Sequence, residues 1–174
     1  MDKFADWLAR GRRCLLGAMS TARRIREFRS RTGKSETEMA QLLGINIHWY
    51  YDLEMHDDEL TSTLSLAQAL ELAAQLGVSL HDLLAVSVRP ENAVMLQDLP
   101  KYVERHLVID GITVDEFSDR IGWDLAPFLG EPVEVGSGLP IMFFQDLADG
   151  LGIPWPDVLP HSASRDSHGP RNET

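Results

Sequence analysis

The chain has 174 residues, 44% of them hydrophobic and 25% charged, enough apolar material for one or two small domains with a genuine core. No apolar run approaches the roughly 20 residues that cross a bilayer, and arginines stand where a secretory signal would carry its apolar stretch, so a cytoplasmic protein without membrane contact is expected. The net charge of −11 is unevenly laid out: residues 1–34 hold ten Lys and Arg against three acids, and residues 35–174 hold six against twenty-four, so the first segment can meet phosphates and the remainder repels them.

Residues 1–19 place Phe4, Trp7, Leu8, Leu15 and Met19 at helical spacing with Arg10, Arg12 and Arg13 between them, which predicts a basic amphipathic helix broken at Gly11. It is expected to pack on the next domain; the alternative of a membrane-surface helix is the weaker one, since a single short arm binds a membrane only weakly. Cys14, the single cysteine, excludes an internal disulfide and a thiolate zinc site and reads as a small buried hydrophobe.

From Ser20 the chain parses into five short helices. The first carries Ile25 and Phe28 on its apolar face and stops at Gly33. The second opens on Ser35-Glu36-Thr37-Glu38, a capping box, is expected to bury Met39, Leu42 and Leu43, and ends at Gly44. The third is capped by Asn46 and turns Tyr50 and Leu53 to the core. A polar loop, residues 57–63, is expected next. The fourth runs through Leu66, Leu70, Ala73 and Leu76 to Gly77, and the fifth is capped by Ser79 and closes on Leu83 and Leu84.

The order and spacing of these signals resembles the Xre/Cro-like (lambda-repressor-like) helix-turn-helix family. The residues that carry the resemblance are Ile25-Arg26-Glu27 with Arg29, the run from Ser35 to Gly44 with Ala40, Leu53-Glu54, and Leu64 to Leu84 around Leu76-Gly77-Val78-Ser79, about 65 of the 174 residues. The resemblance implies an all-α fold, with a five-helix domain over 20–88, and a bacterial or phage regulator that binds DNA without being an enzyme. Glu54 falls at a position that is structural in the family.

A repeat extends the pattern. Gly111-Ile112-Thr113, Phe117, Ile121 and Gly122 follow Gly33-Lys34-Ser35, Met39, Leu43 and Gly44 by 78 positions, and Leu151-Gly152-Ile153 follows Leu76-Gly77-Val78 by 75. After a linker over 89–98, residues 99–160 are therefore expected to form a second, degenerate helical domain. Pro127, Gly130, Pro132 and Gly136-Ser137-Gly138 leave little room there for a third helix. The apolar stretch Ile141 to Phe144 needs a covering surface. Residues 161–174 are polar and patternless, and disorder is expected.

The positions through which the family reads DNA hold unusual residues. They are Glu36 at the start of helix two and Ile47, His48, Trp49, Tyr51 and Asp52 on helix three, and between 35 and 60 there are seven acids and no Lys or Arg. Phosphate affinity comes from cations, so backbone contacts fall to Arg23, Arg24, Arg26, Arg29, Arg31 and Lys34. Two partners follow: DNA, held weakly through those cations, or a protein that meets the aromatic, acidic helix three, as an antitoxin, immunity protein or anti-regulator would, with a homodimer also possible. Trp49 and its neighbours have a buried alternative, against the N-terminal helix or the second domain. His48, Asp52 and His56 share a helical face at a spacing known for metal ligands but lack a fourth ligand, so no metal or other cofactor is expected. No phosphate loop, serine elbow or metallohydrolase His-Glu spacing occurs, and Asp115-Glu116 read as first-turn carboxylates.

Overall fold

The computed structural model describes residues 19–87 and 94–159. The expectations for the N-terminal helix, Cys14 and the C-terminal tail fall outside the described residues. Within them the chain is all-helical, and the one strand-like feature is an isolated antiparallel bridge between Ser65 and Pro140.

The first half comprises α1 (Thr21–Thr32), α2 (Glu36–Leu43), α3 (Ile47–Met55), α4 (Glu59–Ser62), α5 (Leu66–Leu76) and α6 (Leu80–Leu84). All but α4 start at side-chain caps: Ser20, Ser35, Asn46, Ser65 and Ser79 each accept from an amide of the first turn, satisfying donors that a helix leaves unpaired. Gly33, Gly44 and Gly77 end α1, α2 and α5 with φ near +70°, a conformation that disfavours side chains. The α1 and α2 helices pack on α3, and α5 closes against both. Ile25, Met39, Tyr50, Leu53 and Leu83 are buried in one cluster.

Three expectations need correction. Leu42 is 48% exposed, because α2 turns Met39, Ala40 and Leu43 inward and Leu42 lies beyond that arc. Leu70 is only half-buried, while Ala69 and Leu72 take the central positions of α5. The polar loop contains the single turn α4, which forms because Leu60 has a buried site to fill.

The second half repeats the order: α7 (Leu99–Asp110), α8 (Val114–Ile121), α9 (Ala126–Gly130), α10 (Pro132–Gly138), α11 (Ile141–Leu151) and a 3-10 turn at Trp155–Val158. Like α1, α7 has 12 residues; α8 has 8, like α2; α11 has 11, like α5. Thr113 and Glu116 build a capping box as Ser35 and Glu38 do. Asp124 accepts from the amide of Ala126 as Asn46 does from that of His48, so the 78-residue register continues into the third helix. A third helix therefore does begin in the second half, contrary to expectation; it is cut to five residues at Gly130, and Pro132 starts α10. Ile141, Phe143 and Phe144 are buried, with Phe143 in edge contact with Trp123, Phe128 and Phe144 at 5.1–5.4 Å between ring centroids. The end of the expected linker is also packed: Val94 is buried and its amide donates to the Asp157 carbonyl at 2.8 Å.

Two predictions arise here. Gly150 lies under α8, where an added Cβ would stand 2.6 Å from Ile121 and 3.0 Å from the Phe117 ring. Gly150→Ala should therefore lower stability by about 1–3 kcal/mol from overpacking, despite alanine's better helix propensity, whereas Gly130→Ala, with open space at its Cβ, should cost little; urea unfolding of both measures the contrast. The second concerns pH. Glu38 and Glu116 each accept a hydrogen bond from the backbone amide of their N-cap, at 2.7 and 2.8 Å, which lowers both carboxyls below their ordinary value. A depressed folded pKa gives stability that is present above the unfolded value and lost as pH falls through the folded one. Replacing both by Gln keeps a capping acceptor, so the variant should lose less stability than the parent between about pH 5 and about pH 2, as read by urea midpoints.

Candidate interaction surface on helix three

The α3 helix is anchored by its inner face. Tyr50 and Leu53 are buried in the core, and Glu54 beside them is buried at 3% side-chain exposure. Glu54 sits at a hub: Arg29 clamps it with two hydrogen bonds, at 2.5 and 2.9 Å, and reaches Glu36 at 2.9 Å. Arg26 donates to the Glu54 carbonyl at 2.7 Å and lies 3.6 Å from its carboxylate. Donating to the Glu54 carboxylate holds the Arg29 guanidinium above its ordinary pKa. The Tyr50 hydroxyl lies beside the same carboxylate without meeting it in hydrogen-bonding geometry, and burial first, then the Glu54 charge, pushes its pKa up. This cluster ties α1, α2 and α3 together through Glu54.

With that face fixed, the opposite arc of α3 points outward. At roughly 100° per residue the arc runs Tyr51, Met55, His48, Asp52, Trp49, so the two aromatic rings stand at its edges with Met55 and two polar groups between, and His56 follows in extended conformation. Trp49 is 56% exposed, Tyr51 45% and Met55 63%. His48 and Asp52 are exposed, and Ile47 is half-buried against the core. Trp49 and Tyr51 are thus not buried against the second domain, and the alternative of burial against the N-terminal helix falls outside the described residues; Leu42 on α2 is exposed as well. Among the described residues no group of three His, Cys, Asp or Glu converges to hold a metal ion, so the helical spacing of His48, Asp52 and His56 does not bring their side chains together as ligands.

The basic residues of α1 are placed differently. Arg24 is buried: its Nε donates to the Leu83 carbonyl at 2.7 Å and Nη1 to that of Met19, and burial lowers its pKa while Asp57 opposes the shift. Arg26 and Arg29 belong to the Glu54 cluster. Arg31 pairs with Glu27 at 2.7 Å and lies over the Phe28 ring, and Lys34 donates to the Gln75 side chain at 2.6 Å. Arg23 is exposed and carries no side-chain bond among the described residues. Between α1 and the end of α3 lies an open depression of about 630 Å³ lined by Arg23, Arg26, Arg31 and, facing them, Glu27, Glu54 and Met55. Arg26 and Arg31 meet carboxylates inside the same hollow, and among the described residues Arg23 does not.

The ion-pair hub escaped sequence reading as a unit, although a signal existed. Glu54 is four residues after Tyr50 and Arg29 four after Ile25, so helical phase alone turns both inward with core residues. No family model, no curated protein and no solved structure matches the chain.

Proposed function

We propose that this chain is a non-enzymatic regulatory protein in which residues 21–84 form an Xre/Cro-like helix-turn-helix unit that recognises a protein through the outer face of α3. The observation that carries the reading is the exposure of Trp49 and Tyr51 on a helix whose neighbourhood, residues 35–60, holds seven acids and no Lys or Arg. An exposed Trp is an expensive residue to leave in water and a preferred anchor of protein interfaces. Asp52, Asp58 and the exposed parts of this field favour a basic partner surface. The placement of the α1 cations supports the same reading, since Arg24, Arg26, Arg29, Arg31 and Lys34 are engaged within the fold.

DNA binding is the second reading, favoured by the family resemblance and by Arg23, Arg26 and Arg31 lining one open hollow. Selection from a random duplex pool at two salt concentrations separates the two. The protein-contact reading expects no enriched sequence at about 0.15 M salt and weak retention at low salt that disappears as salt rises. Enrichment of a defined operator that depends on Trp49 would overturn it.

A further inference from the structure

The two halves meet in a particular way. Ser65, the N-cap of α5, pairs in the antiparallel bridge with Pro140, the N-cap of α11, and these are the same position of the repeat, 75 residues apart. A second contact has the same property: His81 Nε2 lies 3.4 Å from the carbonyl oxygen of Pro156, again its own counterpart at a distance of 75. The element contacts are reciprocal as well. The short α4 packs on α11, and its counterpart α10 packs on α5. An isologous interface between identical subunits has this form: residue i meets j while j meets i, and residues on the axis meet themselves. A head-to-tail packing of two repeats would join unlike surfaces and would bring no residue against its own equivalent.

We infer that residues 99–159 are a second copy of the first unit, docked about a pseudo-two-fold axis that passes by Ser65–Pro140 and His81–Pro156, so that each chain carries its own twin subunit. The surface through which a first unit would pair with another chain is filled from within, and the protein is a monomer. The two copies have diverged in concert. At the counterparts of Arg29, Glu36, Tyr50 and Glu54 stand Leu107, Val114, Phe128 and Pro132, so the buried part of the polar hub has become apolar, while the half-exposed Arg26 has Glu104 as its counterpart. Lys34 and its partner Gln75 have become Ile112 and Gly150, the glycine being the one that Ile121 and Phe117 crowd. The outer face of the third helix survives once only: Trp49, Tyr51 and Asp52 correspond to Pro127, Leu129 and Gly130. The internal dimer therefore does not offer two equal faces to a two-fold symmetric target. The inference rests on the packing of the halves and is independent of what α3 binds.

The test uses the full chain. In a Cys14→Ser background, Ser65→Cys with Pro140→Cys places two thiols at bridge partners, whose Cα atoms lie about 4.5–5.5 Å apart in an antiparallel pair, within disulfide reach. Oxidation should give an intrachain disulfide, with faster migration on a non-reducing gel and a thermal midpoint raised over the reduced form. Disulfide-linked dimers, or free thiols in a chain that retains its helical circular dichroism, would overturn the inference. If the double variant does not fold, sedimentation equilibrium of the unmodified protein decides: a 19.5 kDa species at every concentration is expected, and self-association to twice that mass refutes the built-in twin.

Discussion

Glu54→Ala is expected to lower the stability of the protein by about 3–5 kcal/mol, the usual consequence of removing one member of a buried ion pair and leaving the other charged and unmatched. Arg29, 14% exposed at its side chain, loses two charge-assisted hydrogen bonds, and Arg26 loses its neighbour. Relative to a total stability of about 5–15 kcal/mol for a domain, the loss is large enough to be read in any urea titration. The second half of the chain suggests the complementary experiment, because the repeat register puts Leu107 at the position of Arg29, Phe128 at that of Tyr50 and Pro132 at that of Glu54. Arg29→Leu combined with Glu54→Leu should recover most of the stability that Glu54→Ala removes, since apolar replacement of a whole buried pair is often neutral or favourable. Tyr50→Phe should be neutral or slightly stabilising by itself, because the buried hydroxyl gives up no well-formed hydrogen bond. A Glu54→Ala variant as stable as the parent would show that the hub is incidental to the fold.

Trp49→Ala has the opposite signature. With more than half of its surface in water, Trp49 contributes little to the core, so its removal should change stability by no more than about 0.5 kcal/mol. As an interface anchor it should weaken a protein complex by about 2 kcal/mol or more, a loss of roughly 30-fold in affinity. Tyr51→Ala, at the other edge of the α3 face, should act in the same direction. Calorimetric titration against the partner, paired with thermal unfolding of each variant, measures both quantities. Weakened binding without lost stability is the expected result; lost stability with unchanged affinity would assign Trp49 to the fold.

What could be read in the sequence was mostly local. Ser35-x-x-Glu38 with Gly44, and Ser79 before Leu80, fix helix ends through hydrogen bonds between near neighbours, and those ends stand where the caps put them. Thr113-x-x-Glu116 with Gly122 did the same for the second half. Features decided by tertiary space were less legible. The α4 turn has one apolar residue, Leu60, too few to establish a period. Leu42 is an aliphatic residue on the outer side of an eight-residue helix, and composition alone cannot assign its phase. Helix α9 was hidden by the prolines and glycines around it, although Asp124, which accepts from the amide of Ala126, stands just before it. Of the candidate site, the α3 residues could be named from the sequence and their exposure could not, because an inward Trp49 was equally compatible with the pattern. The engagement of Arg24, Arg29 and Lys34 was invisible for a similar reason: Leu83, Glu54 and Gln75 lie 25 to 59 residues away.

The most direct test is to learn what touches α3 in the cell. Replacing Trp49 with a photoreactive benzoylphenylalanine, irradiating living cells of the source organism and analysing the adducts would identify the contact, with the exposed Glu104 position on α7 as a control. The account predicts a nuclease-resistant adduct to one basic protein from position 49, and none from position 104. An adduct at position 49 that collapses on nuclease treatment and carries nucleotides would contradict it, and would make α3 a reader of DNA despite its acidic surroundings.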